Sequence, residues 1–207
     1  MLCYDEDVVV LPRKYILPIK PAEYLKQGPM HCGAYSVKGI LSAFGLDTRR
    51  RPKEYHPTWV GKVTGLSIGK NYWANILRSH GIQAERKTAA HLPDAEKLYL
   101  LKALLAGGNP VMVRIGNGYF LGRWYNPLFG WMVAHWMTLW GYDDDKEIFY
   151  VYDSAFSRRY WNASLPVGNT TRTYAEILRD WRFGWWQCWY WYMGRGSHVY
   201  VGVRGSE

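Results

Sequence analysis

Four polar residues, three of them far apart in the chain, carry most of the chemistry this sequence can offer: Gln27, Cys32, His135 and Asp153. Cys32 stands directly before Gly33 in "QGPMHCGAYSVKGIL", at the predicted start of a helix, with Gln27 five positions earlier. The thiolate, not the thiol, is the effective nucleophile, and a helix N-terminus lowers a thiol's pKa through its unpaired N–H groups and the positive end of its dipole. Gly33 removes a side chain beside the sulfur, which lets a substrate backbone come close. Taken alone, a cysteine in such a run fits a packed core better than a reactive site, because free cysteines are among the most buried residue types. The second half of the chain changes that balance. His135 begins one strand of a predicted hairpin and Asp153 ends the returning strand, and antiparallel pairing can set such ends side by side. A carboxylate beside an imidazole fixes its tautomer and stabilises its protonated form, while the other ring nitrogen takes the thiol's proton. Gln27 supplies a side-chain amide that can donate to the oxyanion formed when an acyl carbon is attacked, with the Cys32 N–H as second donor.

Positioning these groups falls to one helix and one hairpin. Ala34, Val37, Ile40, Leu41 and Phe44 recur at helical spacing and Gly45 can close the end, which predicts a buried helix beginning near Cys32. Upstream, residues 8–26 carry three prolines among β-branched and aromatic residues and suit an extended edge strand. Residues 46–67 read as a long irregular connection, and Trp73, Ile76 and Leu77 predict a helix over 71–79 that stops at Gly81. Leu98, Leu101, Leu104 and Leu105 form a helical stripe ending at Gly107-Gly108-Asn109-Pro110, followed by a buried strand over 111–115. The aromatic stretch "NGYFLGRWYNPLFGW" has no clear period and is expected to be a loop roofing a site, with Trp124, Tyr125 and Trp131 as candidate substrate-binding residues beside Gly33. Strands over 134–142 and 147–153 flank the turn Asp143-Asp144-Asp145, and a helix over 174–181 precedes strands over 186–193 and 197–204. Helices first and an antiparallel sheet later predict an α+β fold.

A chain of 207 residues suits a single domain spanning 1–207. Hydrophobic residues at 48% against charged residues at 21% exclude a disordered chain, and aromatics at 17% point to extensive ring packing or a ligand groove. The net charge of +9 favours acidic partners, but the densest basic run, Arg49-Arg50-Arg51, reads as a solvated turn. With no helix-turn-helix, zinc-finger or RNA-recognition signature, no specific nucleic acid is expected. Three scattered cysteines, Cys3, Cys32 and Cys188, form no disulfide framework and suit a reducing compartment. The N-terminus lacks the order of a secretory signal and no apolar run approaches a membrane span, so a cytoplasmic location is expected. No HExxH, CxxC or clustered His/Cys spacing suggests a metal, and no cofactor is expected.

The order of these motifs resembles the papain-like cysteine peptidases related to the leader-peptidase domains that process bacteriocin precursors. That family has a glutamine shortly before Cys-Gly at a helix start, a histidine opening a strand that leads into Gly-Tyr-Asp, and Val-x-Asp on the next strand. The matching residues are Gln27, Cys32-Gly33, His135, Gly141-Tyr142-Asp143 and Val151-Tyr152-Asp153, with "GGNPVMVRI" and "YAEILRDW" also similar, over most of residues 25–185. Ala34-Tyr35 replaces the usual Pro-Ala or Ala-Ala, and His31, taken as a flanking groove residue, stands where leader peptidases often carry aspartate. The resemblance implies a papain-like fold, an N-terminal helical part with the nucleophile on a helix N-terminus packed on a C-terminal antiparallel sheet. It implies a standalone bacterial hydrolase acting on a peptide or protein substrate through an acyl-thioester. In that scheme Cys32 is the nucleophile, His135 the base and then acid, Asp153 its orienting partner, and Gln27 part of the oxyanion hole. Acyl transfer to an amine by the same triad stays open, as does a non-catalytic binding domain that uses its basic aromatic surface.

Overall fold

The apolar run behind Cys32 folds as helix α1, Cys32–Ala43, and its spacing takes Ala34, Val37, Ile40 and Leu41 wholly out of water. Burying each of the three larger side chains contributes about 1.5–3 kcal/mol. A computed structural model of the chain, describing residues 10–28, 30–46, 49–119, 124–182 and 197–205, lays this helix against an antiparallel sheet. The further helices are α2 (Trp59–Thr64), α3 (Tyr72–Ser79), α4 (Asp94–Ala106), α5 (Pro127–Met132) and α6 (Tyr174–Trp181). The strands are β1 (Lys14–Ile16), β2 (Gln83–Thr88), β3 (Val111–Gly116), β4 (Ala134–Asp143), β5 (Ile148–Tyr152), β6 (Thr170–Thr173) and β7 (Val199–Arg204). Sheet order is β2-β7-β3-β4-β5-β6, with β1 pairing the far end of β4, and every pairing is antiparallel. The α+β architecture is thus the one the element order implied.

Two strands were not evident in the sequence, and both lie at sheet edges. β2 reads QAERKT with Ala84 as its one buried residue, and β6 reads TTRT, so neither has the apolar alternation that marks a strand. Short polar edges of this kind discourage pairing with other chains. The connection over 46–67 contains α2 and a 3₁₀ turn, Pro52–Tyr55, and the aromatic loop contains α5. The strand expected over 186–193, together with Cys3 and Cys188, lies outside the described residues.

Register explains how distant residues meet. The last paired row of β4 and β5 is Thr138 with Tyr152, so one step further along sets Asp153 opposite Met137. His135 is two residues from Met137 and therefore on the same face of the sheet. α1 packs on β4, which brings the helix N-terminus to that face. No helix among the described residues is long and apolar enough to cross a membrane.

Candidate active site

Helix α1 starts without the usual cap. His31 occupies the N-cap position and makes no side-chain capping bond, and the first turn carries no acidic residue. The positive end of the helix is therefore not neutralised locally, and the Gly33 N–H turns to the Cys32 sulfur, as does the N–H of Trp136 on β4. Cys32 as a residue is partly exposed. Burial pushes the Cys32 pKa up, but hydrogen bonding to His135, its positive charge and the two N–H groups outweigh this and hold it below the ordinary thiol value.

The imidazole of His135 spans the gap between sulfur and carboxylate. Its Nε2 lies 2.8 Å from Asp153 Oδ1, leaving Nδ1 for the hydrogen bond with Cys32. Burial disfavours the charged ring, yet Asp153 and then Cys32 reverse that effect and raise the pKa to about 10. Asp153 itself accepts from every side. Its Oδ1 also takes the N–H groups of Ala155 at 2.9 Å and Phe156 at 3.2 Å, and its Oδ2 takes Arg172 Nη2 at 2.9 Å. Burial alone raises a carboxyl pKa, but His135 and Arg172 overcome it and hold Asp153 well below the usual range.

Three residues around this chain were not evident in the sequence. Arg172, on edge strand β6, is buried with its guanidinium over Tyr119 at 4.2 Å. Asn169 clamps the Asp153 backbone from both sides: its Oδ1 accepts from the Asp153 N–H and its Nδ2 donates to the Asp153 carbonyl, both at 2.9 Å. Ser154 grips Gln27, its carbonyl accepting the Gln27 N–H at 2.9 Å and its hydroxyl donating to Gln27 Oε1. With Oε1 occupied, the donor face of the Gln27 amide is left for other work. A polar residue beside an aspartate is ordinary turn chemistry, so only the Asp153-Ser154 adjacency hinted at this.

Other candidates stand elsewhere. Gly33 is buried, and the space where a Cβ would stand is filled by the Trp73 indole at 2.2 to 2.4 Å, so helix packing already requires a glycine here. Tyr125 donates its hydroxyl to Asp180 at 2.8 Å beneath Arg179, which commits the ring to α6. Trp124 is 78% exposed and Trp131, on α5, is partly exposed. On the other side of Cys32, His31 Nδ1 lies 3.3 Å from His56 Nε2, and His56 Nδ1 lies 2.9 Å from the Tyr72 hydroxyl. Among the described residues no His, Cys, Asp or Glu cluster could hold a metal ion.

A partly exposed cysteine at a helix N-terminus, its thiol bonded to an imidazole on strand β4 that is backed by a carboxylate, fits the papain-like class of cysteine-centred folds. The sequence matches the Peptidase_C39 like family over residues 21–179, and the chain belongs to that family. A double glycine motif protease from an AMS/PCAT transporter, solved with its leader peptide, is similar in fold at 12% identity and a TM-score of 0.51. The match covers 93% of this chain and 99% of that one. A Bacillus anthracis protein described as C39-like matches at 14% identity and a TM-score of 0.54, over 94% and 99% of the two chains. No curated protein matches the sequence.

Proposed function

We propose that this chain is a cysteine peptidase that hydrolyses a peptide or other amide bond through an acyl-thioester on Cys32. The observation that carries the reading is one buried imidazole hydrogen-bonded to Cys32 through one nitrogen and to Asp153 through the other. Family membership agrees with it, and the leader peptide bound to one structural neighbour supports a peptide as substrate.

In this reading the Cys32 proton resides on His135 before substrate arrives. The sulfur attacks the acyl carbon, and the resulting oxyanion accepts from the Cys32 N–H and the Gln27 side-chain amide. Collapse breaks the C–N bond while His135 gives its proton to the departing amine, leaving the acyl group on sulfur. Water then attacks the thioester as His135 takes its proton, and collapse frees the acid and restores the thiolate. Asp153 holds the ring, and Ser154 acts through Gln27 as a positioning residue. In this reading the exposed rings of Trp124 and Trp131 take flanking substrate side chains.

Thiol chemistry tests the reading directly. Cys32 is expected to react with iodoacetamide at pH 6 much faster than Cys3 or Cys188, followed by peptide mapping, and His135→Ala is expected to slow it. Equal rates at the three cysteines would end the proposal.

A further inference from the structure

The segment 57–70 is built inside out. Trp59 is 76% exposed, Ile68 is 68% exposed, and Val60, Val63 and Leu66 also face water, whereas the residues turned inward are Gly61 and Gly65. Both glycines are required by close packing. A Cβ on Gly61 would stand 2.9 Å from the His56 ring, and one on Gly65, whose φ is +73°, would collide with the Met30 carbonyl at 2.0 Å. Met30 joins the same face, with a left-handed φ of 69° that methionine rarely adopts and an exposed side chain. Six large apolar side chains are thus exposed here, five within residues 59–68 and the sixth, Met30, packed by its backbone on Gly65 two residues from Cys32. Helix α2, at its centre, leans mainly on the 3₁₀ turn behind it rather than on the sheet.

Charge along this segment is uneven. Between residues 49 and 70 there are six basic residues, Arg49, Arg50, Arg51, Lys53, Lys62 and Lys70, and one acid, Glu54. The Glu54 carboxylate is engaged by the backbone N–H of Arg51 at 2.9 Å. A single tryptophan among aliphatic side chains, in a segment rich in lysine and arginine, has the composition of a surface that enters the headgroup boundary of an anionic bilayer. The concave pocket bordering this segment, lined by Pro57, Ile68, Lys70 and Tyr72, takes in one of the six exposed apolar side chains, Ile68; the other five lie outside its lining, which favours a broad, deformable partner.

We propose that the face formed by Met30, Trp59, Val60, Val63, Leu66 and Ile68, with its basic surround, docks the protein on an anionic lipid surface and presents the Cys32 site along that surface. Apolar insertion supplies the depth of contact, and the basic residues supply electrostatic attraction near the bilayer that salt weakens.

The test is co-sedimentation of the full chain with phosphatidylcholine vesicles with and without phosphatidylglycerol, at low and high salt. Binding is expected only with phosphatidylglycerol, and Trp59→Ser combined with Ile68→Ser should weaken it about 10-fold or more. The charge reversals Lys62→Glu and Lys70→Glu should also weaken it. Circular dichroism and the iodoacetamide rate of Cys32 should stay at wild-type values in these variants, which separates docking from the chemistry of the site. Absence of vesicle binding, or binding that the Trp59/Ile68 variant retains, overturns the proposal. Variants that leave vesicle binding intact but raise KM for a cleaved peptide would assign the face to substrate instead.

Discussion

Two histidine chains flank Cys32, and their contrast shows what decides a buried imidazole's charge. His135 and His56 are 2% and 0% exposed, so water is equally scarce around both. Toward Asp153 the His135 pKa rises to about 10, whereas burial, and then the neighbouring His31, push His56 down to about 4. The difference is the partner: a carboxylate saturated by Arg172 and backbone N–H groups on one side, a phenol hydroxyl and a second imidazole on the other. At neutral pH the first ring is a cation able to hold a thiolate, and the second is a neutral packing element beside Trp73. In the proposed mechanism one chain drives the chemistry and the other shapes the helix start.

The largest expected effect comes from removing that partner. Asp153→Asn keeps the shape and loses the charge, and it should lower kcat/KM and the Cys32 alkylation rate at pH 6 by about 10²–10⁴-fold, whereas His56→Gln should change either by less than about threefold. Comparable losses would erase the distinction between the two chains. Asp153→Ala goes further, since it leaves Arg172 buried without its anion, and denaturant unfolding should register a loss of about 3–5 kcal/mol. Ser154→Ala should reduce kcat about tenfold with KM and the pH profile unchanged, and Ser154→Thr should restore it. A merely structural role would instead move stability and leave kcat alone.

Stability against pH sharpens the comparison most finely. The raised pKa of His135 contributes stability that is complete below about 6.5 and is lost as pH climbs through about 10. The lowered pKa of Cys32 opposes that loss at pH values below about 8.5, because the unfolded chain holds on sulfur the proton that the folded chain holds on imidazole. His56, and His198 with the same sign, contribute stability that is present above about 6.5 and lost as pH falls toward about 4. The melting temperature should therefore fall as pH drops below about 6.5 and fall again as pH climbs from about 8.5 toward 10. His56→Gln should flatten part of the acid limb, and Cys32→Ala should start the alkaline decline nearer 6.5. An unchanged acid limb in His56→Gln would remove His56 as its source.

Much of this arrangement was legible in the chain. The helix behind Cys32, the hairpin from His135 to Asp153 and the helix α6 carry strong periodicity or turn chemistry, and local pattern suffices where one face is apolar. Arg172 and Asn169 were not legible, because their partner Asp153 is 19 and 16 residues away and neither lies in a patterned segment. Ser154 meets Gln27 across 127 residues, a contact that no local spacing encodes. The expectation that the aromatic loop roofs a cleft rested on composition, which cannot reveal that Tyr125 is drawn onto α6 by Asp180 and Arg179.

By itself the sequence determined which side chains could react and where the strongly patterned helices and strands would fall, since both follow from residue type and short-range period. Only the tertiary structure decided which imidazole carries charge, because pKa depends on burial and on the nearest charge through space, and the chain brings those neighbours together without marking them in its order.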